Sequence, residues 1–222
     1  GPPGSGKTPT LYAVLRILNH RDVNITTIED PVEFDIENIN QIQVNEKTSL
    51  TFAKGLRSIV RQDPDIIMVG EIRDSETAGI AVNAAMTGHL VLSTLHTNDA
   101  STAFPRLQDM GVEDFLIAST MNVIIAQRLV RKICMSCIQS VQMDRLQEQL
   151  IERVPNVKEY LLALMGAQNK TIKSLCTFKG NGCHVCHGSG FKGRIGVFEV
   201  LVATAAIRAA IMARKNADEI RD

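Results

Sequence analysis

The first eight residues, Gly1-Pro-Pro-Gly-Ser-Gly-Lys7-Thr8, fit the pattern G-x-x-x-x-G-K-[S/T]. Glycines at this spacing let the backbone curl until successive N–H groups face one point, which suits a phosphate. Gly1, Gly4, Ser5 and Gly6 would form the cradle. Lys7 can reach the β- and γ-phosphates of a nucleoside triphosphate, and the Thr8 hydroxyl can ligate Mg²⁺. The helix that follows adds the positive end of its dipole. A loop of this kind sits between a buried strand and a helix, which points to an α/β fold on a largely parallel sheet. The strand before the loop is absent from the sequence, so the chain reads as a fragment cut on its N-terminal side.

A chain of 222 residues can hold one good-sized domain with a small appendage. Formal net charge is zero, so no global field gathers nucleic acid or an anionic membrane. Trp is absent and aromatics make up 4%, which leaves few platforms for stacking single-stranded bases. No apolar run approaches the ~18 residues of a spanning helix. Five cysteines are too few and too unevenly spread for a disulfide scaffold. Two C-x-x-C pairs favour a reducing compartment and a metal.

Leu11, Val14, Leu15 and Leu18 recur at helical spacing and predict a helix over 8–19. Pro9 falls in its first turn, where the missing N–H costs little. Strands are expected at 25–28, 40–44, 66–69 and 90–95. Helices are expected at 52–61 and from Asp74 or Ser75 to Met86, with Gly88 as the stop. The run 66–69 is apolar throughout, as in a strand covered on both faces. Ligands on parallel sheets lie at the carboxyl ends of strands. Residues 1–8, 29–33, 70–74 and 96–98 should therefore share one cleft. Beyond Asp99 the pattern turns helical, and 115–131 reads as one amphipathic helix. Proline inside a helix costs about 3 kcal/mol, so Pro105 predicts a kink or a late helix start. Residues 180–196 read as loop with short strands, 197–202 as a strand and 205–213 as a helix. The division that follows is a core over 1–133, a tetracysteine subdomain over 134–190 around a polar helical insert, and a strand and helical segment over 191–222.

Asp65-Ile-Ile-Met-Val-Gly-Glu71 has the form of an apolar strand ending in an acid, as in a second nucleotide motif. Gly70 stands where many such strands carry a metal-binding aspartate. Glu71 is therefore assigned to Mg²⁺, and the base that orients water must come from another strand end. In Glu29-Asp30-Pro31-Val32-Glu33 the first choice is Glu33 and the second Glu29, with local capping or pairing as the alternative for Asp30. His89 and His96 flank a predicted strand. His96, with Thr94, Thr97 and Asn98 nearby, suits a γ-phosphate sensor, whereas His89 suits a structural role. Arg57, Arg61 and Arg73 lie near the acidic strand end, and an arginine, often from a neighbouring subunit, stabilises charge in phosphoryl transfer. A salt-bridged helix face is the alternative for Arg57 and Arg61. Cys134-Met-Ser-Cys137 and Cys183-His-Val-Cys186 supply four thiolates, which suits a closed, structural Zn²⁺ site. Redox exchange, and His184 or His187 as substitute ligands, are the alternatives. Cys176 reads as a free buried thiol.

Taken in order, the phosphate loop, Thr27-Ile-Glu-Asp-Pro-Val-Glu33, Asp63-Pro-Asp-Ile-Ile-Met-Val-Gly-Glu-Ile-Arg-Asp74, the histidine box 87–100 and Gln127-Arg-Leu-Val-Arg131 resemble the secretion ATPase superfamily. The resemblance covers essentially the whole chain. The cysteine pairs and Gly190-Phe-Lys-Gly-Arg-Ile-Gly-Val-Phe-Glu199 look like the assembly branch that serves type II secretion and type IV pili. The resemblance implies a RecA-like nucleotide-binding core with a mostly parallel sheet, a small tetracysteine zinc-binding subdomain and C-terminal helices. It also implies a cytoplasmic homo-hexamer that hydrolyses ATP between subunits with Mg²⁺. Such a motor turns an inner-membrane platform protein to drive pilin or pseudopilin assembly, and meets the membrane only through that and other docking partners. A preceding domain with further arginines is implied too. Two rival readings are a nucleotide-gated scaffold with little turnover and a nucleic-acid motor; neutral charge and scarce aromatics disfavour the second.

Overall fold

Strand β1 (Ile25–Glu29) is buried at every residue, and so is β3 (Ile66–Val69). With β2 (Asn40–Gln43) and β4 (Leu90–Ser93) they form one parallel sheet in the order β2-β1-β3-β4. The computed structural model describes residues 1–164 and 176–221. Its contacts divide into two units, Gly1–Leu129 with Gly196–Asp222, and Val130–Ile195.

In the first unit successive strand residues face opposite sides, so each strand feeds two cores. Ile25, Ile66 and Met68 meet Tyr12 and Leu15 of α1 (Lys7–Leu18). Ile28, Ile67 and Val69 meet Leu56 and Ile59 of α2 (Phe52–Ile59) and the inner face of α3 (Ser75–Met86). Each fully buried aliphatic side chain stabilises the fold by about 1.5–3 kcal/mol. Thr51 caps α2 through the Lys54 N–H and Asp74 caps α3 through the Thr77 N–H. These caps aim both helix starts at the carboxyl edge of the sheet. α2 gives way at Val60 to a 3₁₀ turn, so the regular helix is two residues shorter than the apolar spacing predicts.

Past the sheet, α4 (Ala103–Asp109) starts late, with Pro105 in its first turn. The continuous helix expected over 115–131 does not form. α5 (Asp114–Thr120) stops at Met121, and Val123–Ile133 is a strand, β5. Val123-Ile124-Ile125 is a β-branched run, stiff at χ1 and suited to a strand. The break is sealed by Arg208, which bonds the carbonyl oxygens of Ala118 and Ala203. β5 pairs with β8 (Phe191–Val202). The segment 180–196, expected to be loop with short strands, ends in six residues of β8, which runs on without a break through the strand expected at 197–202. α8 (Ala205–Met212) and α9 (Ala217–Arg221) return Ile211 and Ile220 to the main core.

The second unit contains a hairpin of β6 (Ile138–Gln142) and β7 (Cys176–Gly180), antiparallel in register Ile138↔Gly180. α6 (Arg145–Glu152), closed by an Asp144–Gln147 capping box, and α7 (Pro155–Leu164) supply the expected polar helical insert. The rest of that insert, 165–175, lies outside the described residues. Cys176 is exposed and not buried. Among the described residues its strand pairs with β6 alone.

Candidate functional site

The carboxyl ends of β1, β3 and β4 are tied together beyond the strands themselves. Gly70 N–H donates to Ile28 O at 2.8 Å, Thr94 Oγ1 to Gly70 O at 2.8 Å, and Ile72 N–H to Thr94 O at 3.0 Å. This lattice brings Glu71 and His96 to one place. His96 Nε2 lies 3.0 Å from Glu71 Oε2, and the Arg73 guanidinium lies 2.6 Å from Glu71 Oε1. Glu71 is nearly buried, with 12% of its side chain exposed, so its charge is held by these two partners rather than by solvent.

Gly6 caps α1 at φ 88°, a left-handed conformation that a side chain resists and that turns the loop into the helix. Lys7 Nζ folds back on the loop, donating to Gly1 O at 2.8 Å and Pro2 O at 3.1 Å. Burial lowers the pKa of Lys7 from its ordinary value, and the Glu71 carboxylate pulls it the other way. The loop is tied to the same strand end by Gly1, whose amino nitrogen donates to Leu95 O at 3.4 Å, one residue before His96. The buried Ser5 hydroxyl has no hydrogen-bond partner among the described residues. An orphaned buried hydroxyl in a loop of this pattern fits a phosphate, because a buried polar group is costly unless a ligand or water completes it. Gly1, Gly4, Ser5, Gly6, Lys7 and Thr8 lie together at the start of α1.

The acidic box divides into two kinds of residue. Glu29 is 2% exposed. It accepts hydrogen bonds from the Tyr12 hydroxyl, from Thr27 Oγ1 at 2.5 Å and from Gln41 Nε2 at 3.2 Å. Both of its carboxylate oxygens are engaged by donors within the protein. Glu33 is exposed, its carboxylate makes no hydrogen bond or ion pair among the described residues, and its N–H donates to Tyr12 Oη at 3.2 Å. Burial and the Glu29 hydrogen bond push the Tyr12 phenol up to about 12, so it stays a donor.

Other candidates stand apart. Arg57 pairs with Glu76 at 2.5 Å across the exposed faces of α2 and α3. Arg61 lies in the turn before β3, beside Gln62 and Asp63, whose carbonyls accept from Asn24 at the amino ends of the strands. That is the opposite edge from Glu71. His89 Nδ1 contacts Ala84 O at 2.8 Å and Thr87 Oγ1 at 3.1 Å, closing the end of α3.

Two residues at the site escaped the residue-by-residue reading. Tyr12, 1% exposed, lies three residues before Leu15 on the buried stripe, and a buried phenol normally signals a polar partner. Gln127 of β5 is 6% exposed and accepts from Thr10 Oγ1 at 2.8 Å. It braces the first turn of α1, and its place at the head of Gln127-Arg-Leu-Val-Arg131 was the signal that pointed to it.

In the second unit the Sγ atoms of Cys134, Cys137, Cys183 and Cys186 lie within 4.8 Å of one another. Closest pairs are 3.7–3.9 Å apart. Four thiolates around tetrahedral Zn²⁺ at about 2.3 Å would stand about 3.8 Å apart, whereas a disulfide needs about 2.05 Å. Burial opposes ionisation of Cys186, but N–H donation from Cys183 and Gly190 brings its thiol down to about 6. Neither His184 nor His187 joins the cluster. The four cysteines fit a closed metal site.

The solved structures most like this chain include the pilus retraction motor PilT with bound ADP. It is 30% identical with a TM-score of 0.66, over 96% of this chain and 49% of that one. The ATPase DotB of Legionella pneumophila is 25% identical with a TM-score of 0.61, over 99% and 48%. These likenesses bear out the α/β fold with a mostly parallel sheet. The type II secretion system ATPase E of Vibrio cholerae is 48% identical over 94% of this chain and 38% of its own length. The type IV pilus assembly ATPase PilB of Thermus thermophilus is 49% identical over 100% and 23%. The chain thus spans less than half the length of these relatives. The family model for type II/IV secretion system protein matches residues 1–222, and the chain belongs to that family.

Proposed function

We propose that the protein is the ATPase of a secretion or pilus-assembly motor. The observation that carries this reading is the convergence of Glu71, His96 and the phosphate loop, held through Gly1 to Leu95 O, at one sheet edge in a chain of this family. Ser5, Lys7 and the loop N–H groups bind the triphosphate. Thr8 and Glu71 would hold Mg²⁺, which supplies charge neutralisation on the phosphates. His96, already bonded to Glu71, is placed to report on the γ-phosphate. Glu29 is closed off by its three donors, so Glu33, with its unengaged carboxylate, is the base that orients water. Arg73 balances Glu71 within the chain. Arg57 and Arg61 serve, if they act in the reaction, a nucleotide on a neighbouring subunit of a hexamer. Cys134, Cys137, Cys183 and Cys186 hold a structural Zn²⁺ in a subdomain separate from the core. Among the described residues no helix is long and apolar enough to cross a membrane. That is consistent with a cytoplasmic motor that meets the inner membrane through a platform protein and docking partners.

Glu33→Gln in the intact protein tests the chemistry. It should retain ATP binding and lose about 10²–10⁴-fold in turnover, the usual worth of a general base. Undiminished hydrolysis would remove Glu33 from the role.

A further inference from the structure

Tyr12 is neither charged nor part of the phosphate loop, yet its hydroxyl stands where two halves of the site meet. A phenol has one proton to give and two lone pairs to receive. Tyr12 uses all of them. It donates to Glu29 Oε2, accepts from the Glu33 N–H at 3.2 Å and accepts from Gln41 Nε2 at 3.4 Å. The ring is 1% exposed and meets Phe34 edge-on, with centroids 4.6 Å apart. Arg16, one turn further along α1, lies 5.2 Å over the other side of that contact, on the Phe34 ring. The helix that opens with Lys7 therefore grips residues 33 and 34 by a hydrogen bond, a ring contact and a cation–π contact. Glu33 has no other hydrogen bond or ion pair among the described residues to set its place.

We infer that Tyr12 is a positioning residue: its hydroxyl fixes the Glu33 main chain to the phosphate-loop helix, so that base and phosphate cradle share one frame. The inference rests on the reading of Glu33 as the base. The competing role is purely structural, in which the hydroxyl does no more than satisfy the buried Glu29 carboxylate. Thr27 satisfies the same carboxylate at 2.5 Å without touching Glu33, and so provides the control.

Three variants of the intact protein decide between the roles: Tyr12→Phe, Thr27→Val and Glu33→Gln. Each is followed by thermal unfolding, nucleotide affinity and turnover per folded molecule. Tyr12→Phe keeps the ring and its Phe34 contact. It should lower kcat by about 10–100-fold, the scale of a displaced catalytic group. Its nucleotide Kd should stay within about twofold, the pattern of a lost transition-state interaction. Thr27→Val should lower the melting temperature comparably and leave kcat within about twofold. Added to Glu33→Gln, Tyr12→Phe should cost little more turnover, because the two act as one unit. The inference is overturned if Tyr12→Phe turns over normally per folded molecule. It is equally overturned if Thr27→Val slows turnover as much, or if the Tyr12 loss multiplies in full with that of Glu33→Gln. Full turnover by Glu33→Gln would overturn the base assignment and this inference together. An inactive Glu33→Gln beside a normal Tyr12→Phe would sink this inference alone.

Discussion

Among the described residues, every buried hydrophobic side chain but two lies in the unit of Gly1–Leu129 and Gly196–Asp222, and the two exceptions are Cys134 and Cys186. The first unit is held by two apolar cores on a parallel sheet. The second has a two-stranded hairpin and helices with exposed Leu146, Leu150 and Tyr160. Between Val130 and Ile195 the sequence also carries ten Lys and Arg against four Asp and Glu, so like-charge repulsion works against compaction there. A hairpin of this size is marginal in water. Small units without a core need staples, and among the described residues of the second unit the four clustered thiols are suited to act as one. The lesson is that burial can organise one part of a chain while another part is left with four clustered thiols in place of a core.

The largest effect that could break this contrast comes from the thiols. Structural zinc contributes about 10–16 kcal/mol of folding free energy in small domains. Cys134→Ser or Cys183→Ser should therefore abolish zinc binding and strip amide-exchange protection from β6 and β7, while β1 and β3 keep theirs. Unchanged zinc content would refute the ligand set, and matching loss of protection in β1 and β3 would erase the distinction between units.

The middle effect is the converse. Leu56 is fully buried in the main core. Leu56→Ala should cost about 2–5 kcal/mol, read by denaturant unfolding of the first unit, with zinc content unaltered. Loss of zinc in that variant would mean that the two stabilities are linked.

The smallest effect sharpens what does not hold the first unit together. The Arg214 guanidinium, 2.6 Å from Asp114, holds that carboxyl below its usual range, and Gln108 assists. A depressed carboxylate pKa gives stability that is complete above the unfolded value and fades as pH falls through the folded one. Arg214→Ala should thus lower the melting temperature slightly at neutral pH and flatten its decline below about pH 4. A large loss at neutral pH would show that surface pairs matter more than the cores imply.

Much of the first unit was legible because its signals are local. A phosphate loop, the apolar run at 66–69, the strand expected over 90–95 and found at Leu90–Ser93, and Asp74 before a helix each declare themselves within a few residues. Failures arose where the deciding partner is distant in sequence. Ile117, Met121 and Ile124 fall at i, i+4 and i+7 and mimic one helical stripe across a break that β8 and Arg208 impose. Cys176 looked buried because a small thiol usually is, but among the described residues its strand pairs with β6 alone. Glu29 and Glu33 could not be separated by spacing. Their difference lies in Tyr12, Thr27 and Gln41, which arrive from α1, β1 and β2 and close around one carboxylate only.

The crossing of β7 and the start of β8 carries a consequence for how this chain can diverge. A Cβ on Gly180 would lie 2.0 Å from Gly190 O, and one on Gly190, at φ 75°, 2.4 Å from Gly180 O. Two main chains occupy the room a methyl group would need. Drift through the charged helices between the cysteine pairs is cheap, whereas any side chain at 180 or 190 pushes the knuckles apart before a ligand is lost. This corner therefore depends on empty space as firmly as on sulfur.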